Sequence, residues 1–486
     1  MAEAKAQAAA PEVGEAIYDA KLLGTPRMVV LGLQHMFAMF GATVLVPLIT
    51  GLDVSTTLLF AGLGTLLFHF ITKMKVPAFL GSSFAFLGGY AAITGLADES
   101  MTQAQLLPYA CLGVACAGLV YLILAAVIRA FGTAKVMRYF PPVVTGPIIV
   151  AIGLGLSPSA ITNCQENWLV AFSALIVVIL FNIWGIGMMR IIPIIMGVIV
   201  SYIVAILCHD VDFTPIKDAA WIGSPIHWQS TVFGGVDFGN SSLILTAIVA
   251  IVPIALATMM EHIGDISAIG ATVGKNYIAD PGLHRTLTGD GLATTIASLF
   301  GAPANTTYGE NTGVLALTKV YDPRVIRIAA CFAAVLSFSP KFAAIIHTIP
   351  TATIGGISFV LYGMISAAGL RNMVESKVDF SKSRNLIIAA VILVCALGMT
   401  DGVTFSIGSI AITLSALAVG SLAGIILNAI LPGKDFFFDE SDPKDTGADL
   451  SLENAALPKQ KEYGEKKARE RAAVKKLKAT PVEPEE

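Results

Sequence analysis

Charge is what this chain has least of. Only 13% of its 486 residues are Asp, Glu, Lys or Arg, where ordinary globular domains carry roughly a quarter. Many of those charges fall after Leu431, so the body of the chain is too poor in them to cover a soluble domain. A G-x-x-x-x-G-K-[ST] loop is missing as well, which excludes pumping powered by ATP at such a loop. Cys111, Cys116, Cys164, Cys208, Cys331 and Cys395 are scattered, mostly within apolar runs, with neither metal-ligand spacing nor a disulfide framework. They read as small buried hydrophobes, and no metal or other cofactor is expected. The first 27 residues lack a basic region leading into a short apolar core, so no cleavable signal peptide is expected. A formal net charge of −3 argues for no nucleic-acid partner.

What the chain does have is apolar length. Hydrophobic residues make up 55% of it. Runs suited to bilayer spans of roughly 20 residues recur near 28–50, 55–72, 76–96, 104–128, 139–160, 167–187 and 191–208. A polar interval from His209 to about Asn240 precedes a second set near 241–271, 286–301, 302–318, 325–345, 348–370, 385–400 and 404–431. The expected fold is therefore an all-α polytopic membrane protein of about fourteen segments in the lipid bilayer. A lead-in over 1–27 precedes it and a charged tail over 434–486 follows. In that tail, Lys466 to Lys478 reads either as a solvated stretch or as a basic helix touching anionic lipid.

Charge placement supports the count. With the N-terminus inside and sides alternating, the inside loops hold Lys73, Lys75, Arg129, Lys135, Arg138, Arg190, Lys275, Arg285, Lys319, Arg324, Arg327, Arg371, Lys377, Lys382 and Arg384. The outside loops hold only Lys217 and Lys341. That asymmetry follows the positive-inside rule and places both termini in the cytoplasm of a cell (inner) membrane protein. An odd number of crossings per half turns the second seven upside down relative to the first, the inverted repeat common in secondary transporters.

Two segments are poor membrane helices. The third reads Pro77-Ala78 followed by Ser82-Ser83-Phe84, and the tenth reads Pro303-Ala304 followed by Thr306-Thr307-Tyr308. Irregular polar backbone at membrane depth survives only where protein buries it or where it lines a cavity. Paired interruptions at corresponding places mark a transporter's binding site, and both runs suit short strands that pair near the midplane. Next to them stand the ionisable groups. Glu261 and Asp265 lie four apart on one helix face, and intramembrane carboxyls mark substrate or proton pathways. Glu310, after Gly309, is a second carboxylate able to accept a ring N–H, and Tyr308 and Phe84 offer faces for stacking. Ala42 matters by being small. His35 reads as an interior histidine or a proton carrier, His262 as structural, and Asp290 as the N-cap of segment nine.

With these residues assembled, the chain resembles the nucleobase–ascorbate transporter family, also called nucleobase–cation symporter family 2. The matching stretches are Leu33 to Thr43, Pro77 to Phe86, Glu261 to Asp265, Asp280 to Arg285, Asn305 to Asn311 and Glu375 to Asp379. The resemblance implies a core domain (28–138 and 241–346, segments 1–4 and 8–11) that holds the substrate. It implies a gate domain (139–240 and 347–433, segments 5–7 and 12–14) that moves against the core and forms a homodimer. It implies that Glu261 and Glu310 bond the ring edges of a nucleobase. Backbone at Phe84, Gly309 and Glu310 completes the bonding, and Tyr308 and Ala42 shape the pocket. Purine-carrying relatives generally have Gln where this chain has Glu310, which favours uracil; uracil presents two N–H donors that carboxylates can accept. Some uracil carriers have His where Asp265 stands, and purine branches often have Asp there. The residues thus admit a purine carrier (xanthine, uric acid or hypoxanthine) as the alternative. Proton coupling through Glu261, Asp265 and His35 is expected, with sodium as the other possibility. An anion carrier of the same architecture is disfavoured because two carboxylates repel an anion. A membrane hydrolase using them as acid and base is the remaining reading, and no enzymatic role is expected.

Overall fold

The computed structural model describes residues 16–186, 189, 192–399, 402–407, 410–434 and 436. The expected basic helix of the tail lies outside the described residues. The first half runs α1 (Thr25–Thr50), α2 (Val54–Ile71), β1 (Leu80–Ser82), α3 (Leu87–Thr94), α4 (Gln103–Phe131), α5 (Pro142–Gln165), α6 (Trp168–Trp184) and α7 (Pro193–Leu207). The second runs α8 (Ser241–Ile251), α9 (Ile254–Val273), α10 (Leu283–Leu299), β2 (Asn305–Thr307), α11 (Gly309–Thr318), α12 (Pro323–Leu336) and α13 (Pro340–His347). It closes with α14 (Thr351–Glu375), α15 (Ser383–Gly398), β3 (Val403–Ile407), β4 (Ile410–Leu414) and α16 (Ala416–Ile430). By length and composition, α1, α2, α4, α5, α14 and the run α8–α9 are long and apolar enough to cross a membrane. The pair α12–α13 passes the same test together, bent by 87°, and α6, α7, α15 and α16 are apolar but shorter.

Local chemistry sets the boundaries. Proline opens α1, α5, α7, α12 and α13, where its missing N–H has no intrahelical partner to lose. Asp53 caps α2 by accepting the Thr56 N–H at 2.6 Å. A reciprocal Thr102–Gln105 capping box opens α4.

The fourteen expected segments map in order onto these elements, the third being β1–α3 and the tenth β2–α11. The helix packing repeats when the halves are exchanged. Helix α4 packs on α10, and its counterpart α12 packs on α2; α1 packs on α12, and its counterparts α8 and α9 pack on α4. Elsewhere α5 packs on its own counterpart α14. Helix α6 packs on α7 and α14, and correspondingly α15 packs on α16 and α5. Corresponding neighbours meeting in both halves is what an inverted repeat produces.

Contacts among segment ends and loops also respect the expected alternation. Lys75 meets Asp280, Arg324 meets Asp19, and Asn428 reaches the Arg138 carbonyl at one membrane edge. Thr56 meets Pro225, Asp237 meets Tyr109, and Lys341 meets Ile216 at the other.

Segment fourteen departs from expectation. Its first part is a hairpin, β3 antiparallel to β4 with Val403 opposite Leu414, rather than helix from about residue 404. The sequence there alternates and is rich in β-branched residues, which suits a pleated strand better than a helix. Segment eight is likewise two helices, broken at Val252-Pro253, because a proline cannot donate within the helical ladder.

Candidate functional site

Strands β1 and β2 meet antiparallel, with Leu80 opposite Thr307, Gly81 opposite Thr306 and Ser82 opposite Asn305. All six residues are buried. Two three-residue strands leave most of their backbone groups without sheet partners, and neighbouring helices supply side chains for them. Thr65 of α2 accepts from the Leu80 N–H at 2.9 Å and donates to its carbonyl at 3.3 Å. Thr294 of α10 donates to the Asn305 carbonyl at 2.6 Å. These two threonines hold the same position in their helices, counted from Val54 and from Leu283. The Asn305 amide donates to the Phe60 carbonyl at 2.8 Å, and a His69 ring nitrogen lies 2.8 Å from the Ala78 carbonyl. Broken backbone thus persists at membrane depth because protein satisfies it.

Tyr308 locks the crossing. Its N–H donates to the Phe79 carbonyl at 3.0 Å and its hydroxyl to the Ser82 carbonyl at 2.8 Å. The Ser82 hydroxyl in turn donates to the Thr43 carbonyl at 2.9 Å, tying the crossing to α1. A Cβ on Gly81 would lie 2.6 Å from Tyr308 Cε2 and Cζ and 2.7 Å from Thr43 Oγ1. Only glycine lets the ring pass over the strand.

Helix α9 runs alongside, packed on β2 and α11. Its Asp265, buried, accepts from the Thr307 hydroxyl at 3.1 Å. Glu261 is half-buried and stands one turn earlier on the same face, about 6 Å along the axis. The α9 carboxyl face therefore looks onto the strand crossing. Gly309 is buried and opens α11, so the first N–H groups of that helix also point into this region. Phe84 follows β1 directly, and Ala42 is buried on α1 beside Thr43. The Glu310 side chain lies outside the described residues. His35 is fully buried on α1, with Nδ1 3.2 Å from the Asn311 amide nitrogen, which also donates to the His35 carbonyl at 3.1 Å. Its Nδ1 thus faces the Asn311 amide.

Asp290 is not the N-cap expected from the sequence. It lies in the middle of α10, fully buried, with Oδ2 3.3 Å from His262 Nδ1. His262, also fully buried, holds that same Nδ1 3.4 Å from the Thr307 hydroxyl. Asp265, Thr307, His262 and Asp290 therefore form one buried polar chain beneath the crossing. Its members come from α9, β2 and α10, so no linear spacing announces it. The signal available was an Asp and a His standing inside apolar runs, where ionisable groups are costly.

Comparison with known proteins places this architecture. The profile described as Permease family matches residues 26–405. The uracil permease of Bacillus caldolyticus is 40% identical over 415 residues, covering 84% of this chain and 92% of that protein. A probable uracil permease of Haemophilus influenzae is 38% identical over 413 residues, covering 83% and 94%. The putative pyrimidine permease RutG of Escherichia coli is 40% identical over 415 residues, covering 83% and 89%. Among solved structures, the transmembrane domain of the cyanobacterial bicarbonate transporter BicA superposes with a TM-score of 0.53 at 15% identity, covering 85% of this chain and 99% of that one. SLC26A9 superposes with a TM-score of 0.58 at 13% identity, covering 85% and 66%. At such identities the likeness is one of fold.

Proposed function

From the premise that this chain belongs to the nucleobase–ascorbate transporter family, a family of membrane permeases and not of enzymes, we propose that it is a proton-coupled symporter of uracil. The observation that carries the reading is the Asp265–Thr307 hydrogen bond of 3.1 Å. It turns the carboxyl face of α9 toward the paired strands, which are followed directly by the N-terminus of α11. A flat ring with N–H and C=O groups along its edge needs acceptors and donors side by side. Glu261 and Glu310 accept the ring N–H groups; the backbone at Phe84, Gly309 and Glu310 meets the ring's polar edge; Tyr308 and Ala42 bound the pocket. The names of the relatives support uracil as the substrate, as does a carboxylate at position 310.

Proton coupling follows from the site's chemistry. A carboxyl in a space closed from water takes up a proton or a ring N–H rather than stand bare in a low-dielectric interior. Glu261 binds base and proton, and Asp265 and His35 tune it. The packing groups support a division in which α1–α4 and α8–α13 form a core and α5–α7 with α14–α16 form a gate. Movement of the core against the gate exposes the site to each side in turn.

Uptake of labelled uracil into proteoliposomes, with and without an inward proton gradient, tests this. Accumulation should require the gradient and persist without sodium. Asp265 favours one second reading, a purine substrate, and competition by unlabelled xanthine and hypoxanthine separates the two: under the uracil assignment neither competes.

A further inference from the structure

Away from the strand crossing, a groove of about 380 Å³ opens between α1 and α12 at the edge of the molecule where basic side chains collect. Its upper wall carries three cations, Lys21, Arg324 and Arg327. Two carboxylates stand near them, and both are engaged. Asp19 accepts from the Lys21 N–H and the Arg324 guanidinium, and Asp322 accepts from the Ala20 N–H and the same guanidinium. Lys21 and Arg327 make no ion pair among the described residues, although Asp19 and Asp322 act on them at longer range; Arg327 donates to Met74 Sδ at 3.6 Å. Three cations against two carboxylates leave the cluster one net positive charge, with the Lys21 and Arg327 head groups outside the ion pairs.

Below the cations the lining turns apolar, with Met28 on α1 and Ile328 and Phe332 on α12. On α12 the residues at 324, 328, 331 and 335 share a face, and that face ends in a bare hydrocarbon surface, Val335 being 71% exposed. From Arg324 to Cys331 the face descends about 10 Å. The helices close beneath the groove at Gly32, where a Cβ would lie 2.5 Å from Ile328 Cγ2. A charged head above and an apolar track below, open sideways to the membrane, match a molecule with a phosphate at one end and acyl chains at the other.

We propose that this groove binds one anionic phospholipid. Its phosphate sits between Lys21 and Arg327, and one acyl chain lies along Ile328 and Phe332. Guanidinium and ammonium together recognise phosphate oxygens. A zwitterionic lipid brings its own cation to the cluster and cancels the advantage, so an anionic headgroup is favoured.

The test is native mass spectrometry of the full chain released from nanodiscs containing equal phosphatidylglycerol and phosphatidylcholine. The expected result is one retained phosphatidylglycerol, with retention weakened roughly tenfold in Lys21→Gln/Arg327→Gln. Phe332→Ala should weaken lipid retention without creating any response to inorganic phosphate. A monodisperse size-exclusion profile and an unchanged unfolding temperature verify that each variant is folded. Equal retention of the two lipids, or unchanged retention in the double variant, overturns the proposal. Displacement of the lipid by millimolar inorganic phosphate assigns the cations to free phosphate and overturns it too.

Discussion

Thr307 donates its hydroxyl to Asp265 Oδ2 at 3.1 Å, joining the strand of a broken segment to a carboxyl on a continuous helix. Thr307 also stands 3.4 Å from His262 Nδ1. One hydroxyl thus borders both the carboxyl face of α9 and the buried His262–Asp290 pair.

Replacing Thr307 by Val keeps its shape and removes that hydroxyl. A lost hydrogen bond to a buried carboxyl costs about 1–3 kcal/mol, so uracil uptake should fall roughly tenfold or more while the purified protein remains monodisperse. Thr307→Ser should keep most of the uptake. Equal uptake in Val and wild type would mean that the contact is incidental.

His262 and Asp290, both fully buried and 3.3 Å apart, should behave as a unit. Thermal unfolding of His262→Gln, Asp290→Asn and the double variant forms a cycle. The double variant should be more stable than the sum of the two losses predicts, with a coupling of about 1–3 kcal/mol. Strict additivity would show that the two side chains ignore each other.

Gly81→Ala places a methyl 2.6 Å from the Tyr308 ring. Overpacking of this kind costs about 1–3 kcal/mol, and here it pushes apart the two strands that build the site. Uptake should be abolished with a smaller loss in folded yield, read by transport and by fluorescence-detected size exclusion on the same preparation.

At the basic edge, the Lys75 ammonium hydrogen-bonds Asp280 and holds its carboxyl below the ordinary value of 3.8. A depressed carboxyl stabilises the fold above its unfolded value, and that contribution is lost as pH falls through the native one. The wild-type Tm should therefore drop more than that of Lys75→Gln between about pH 5 and pH 3. The difference should be small, because the pair is exposed.

Much of this was legible beforehand, for identifiable reasons. Pro77-Ala78 and Pro303-Ala304, each followed by hydroxyl residues, disfavour continuous helix, and β1 and β2 stand there. Glu261 and Asp265 share a face because helical periodicity fixes it, and the Asp265 contact with Thr307 turns that face to the strands. Asp290 misled because Thr288-Gly289-Asp290-Gly291 has the composition of a helix start. The helix begins at Leu283 instead, after the turn at Asp280–Gly282. Which residue lies opposite His262 depends on how α9 and α10 pack, and spacing along one chain carries no such information. The β3–β4 hairpin is hidden only when the run is weighed by apolar length, since its alternation and β-branched residues are a strand signal.

Equilibrium binding of labelled uracil to the purified full chain, wild type against Glu261→Gln, tests the central claim most directly. Wild type should bind, and the variant, its carboxylate acceptor replaced by an amide, should bind roughly ten- to a hundredfold more weakly at unchanged thermal stability. Equal affinity in a stably folded Glu261→Gln protein would contradict the assignment of that carboxyl to the substrate.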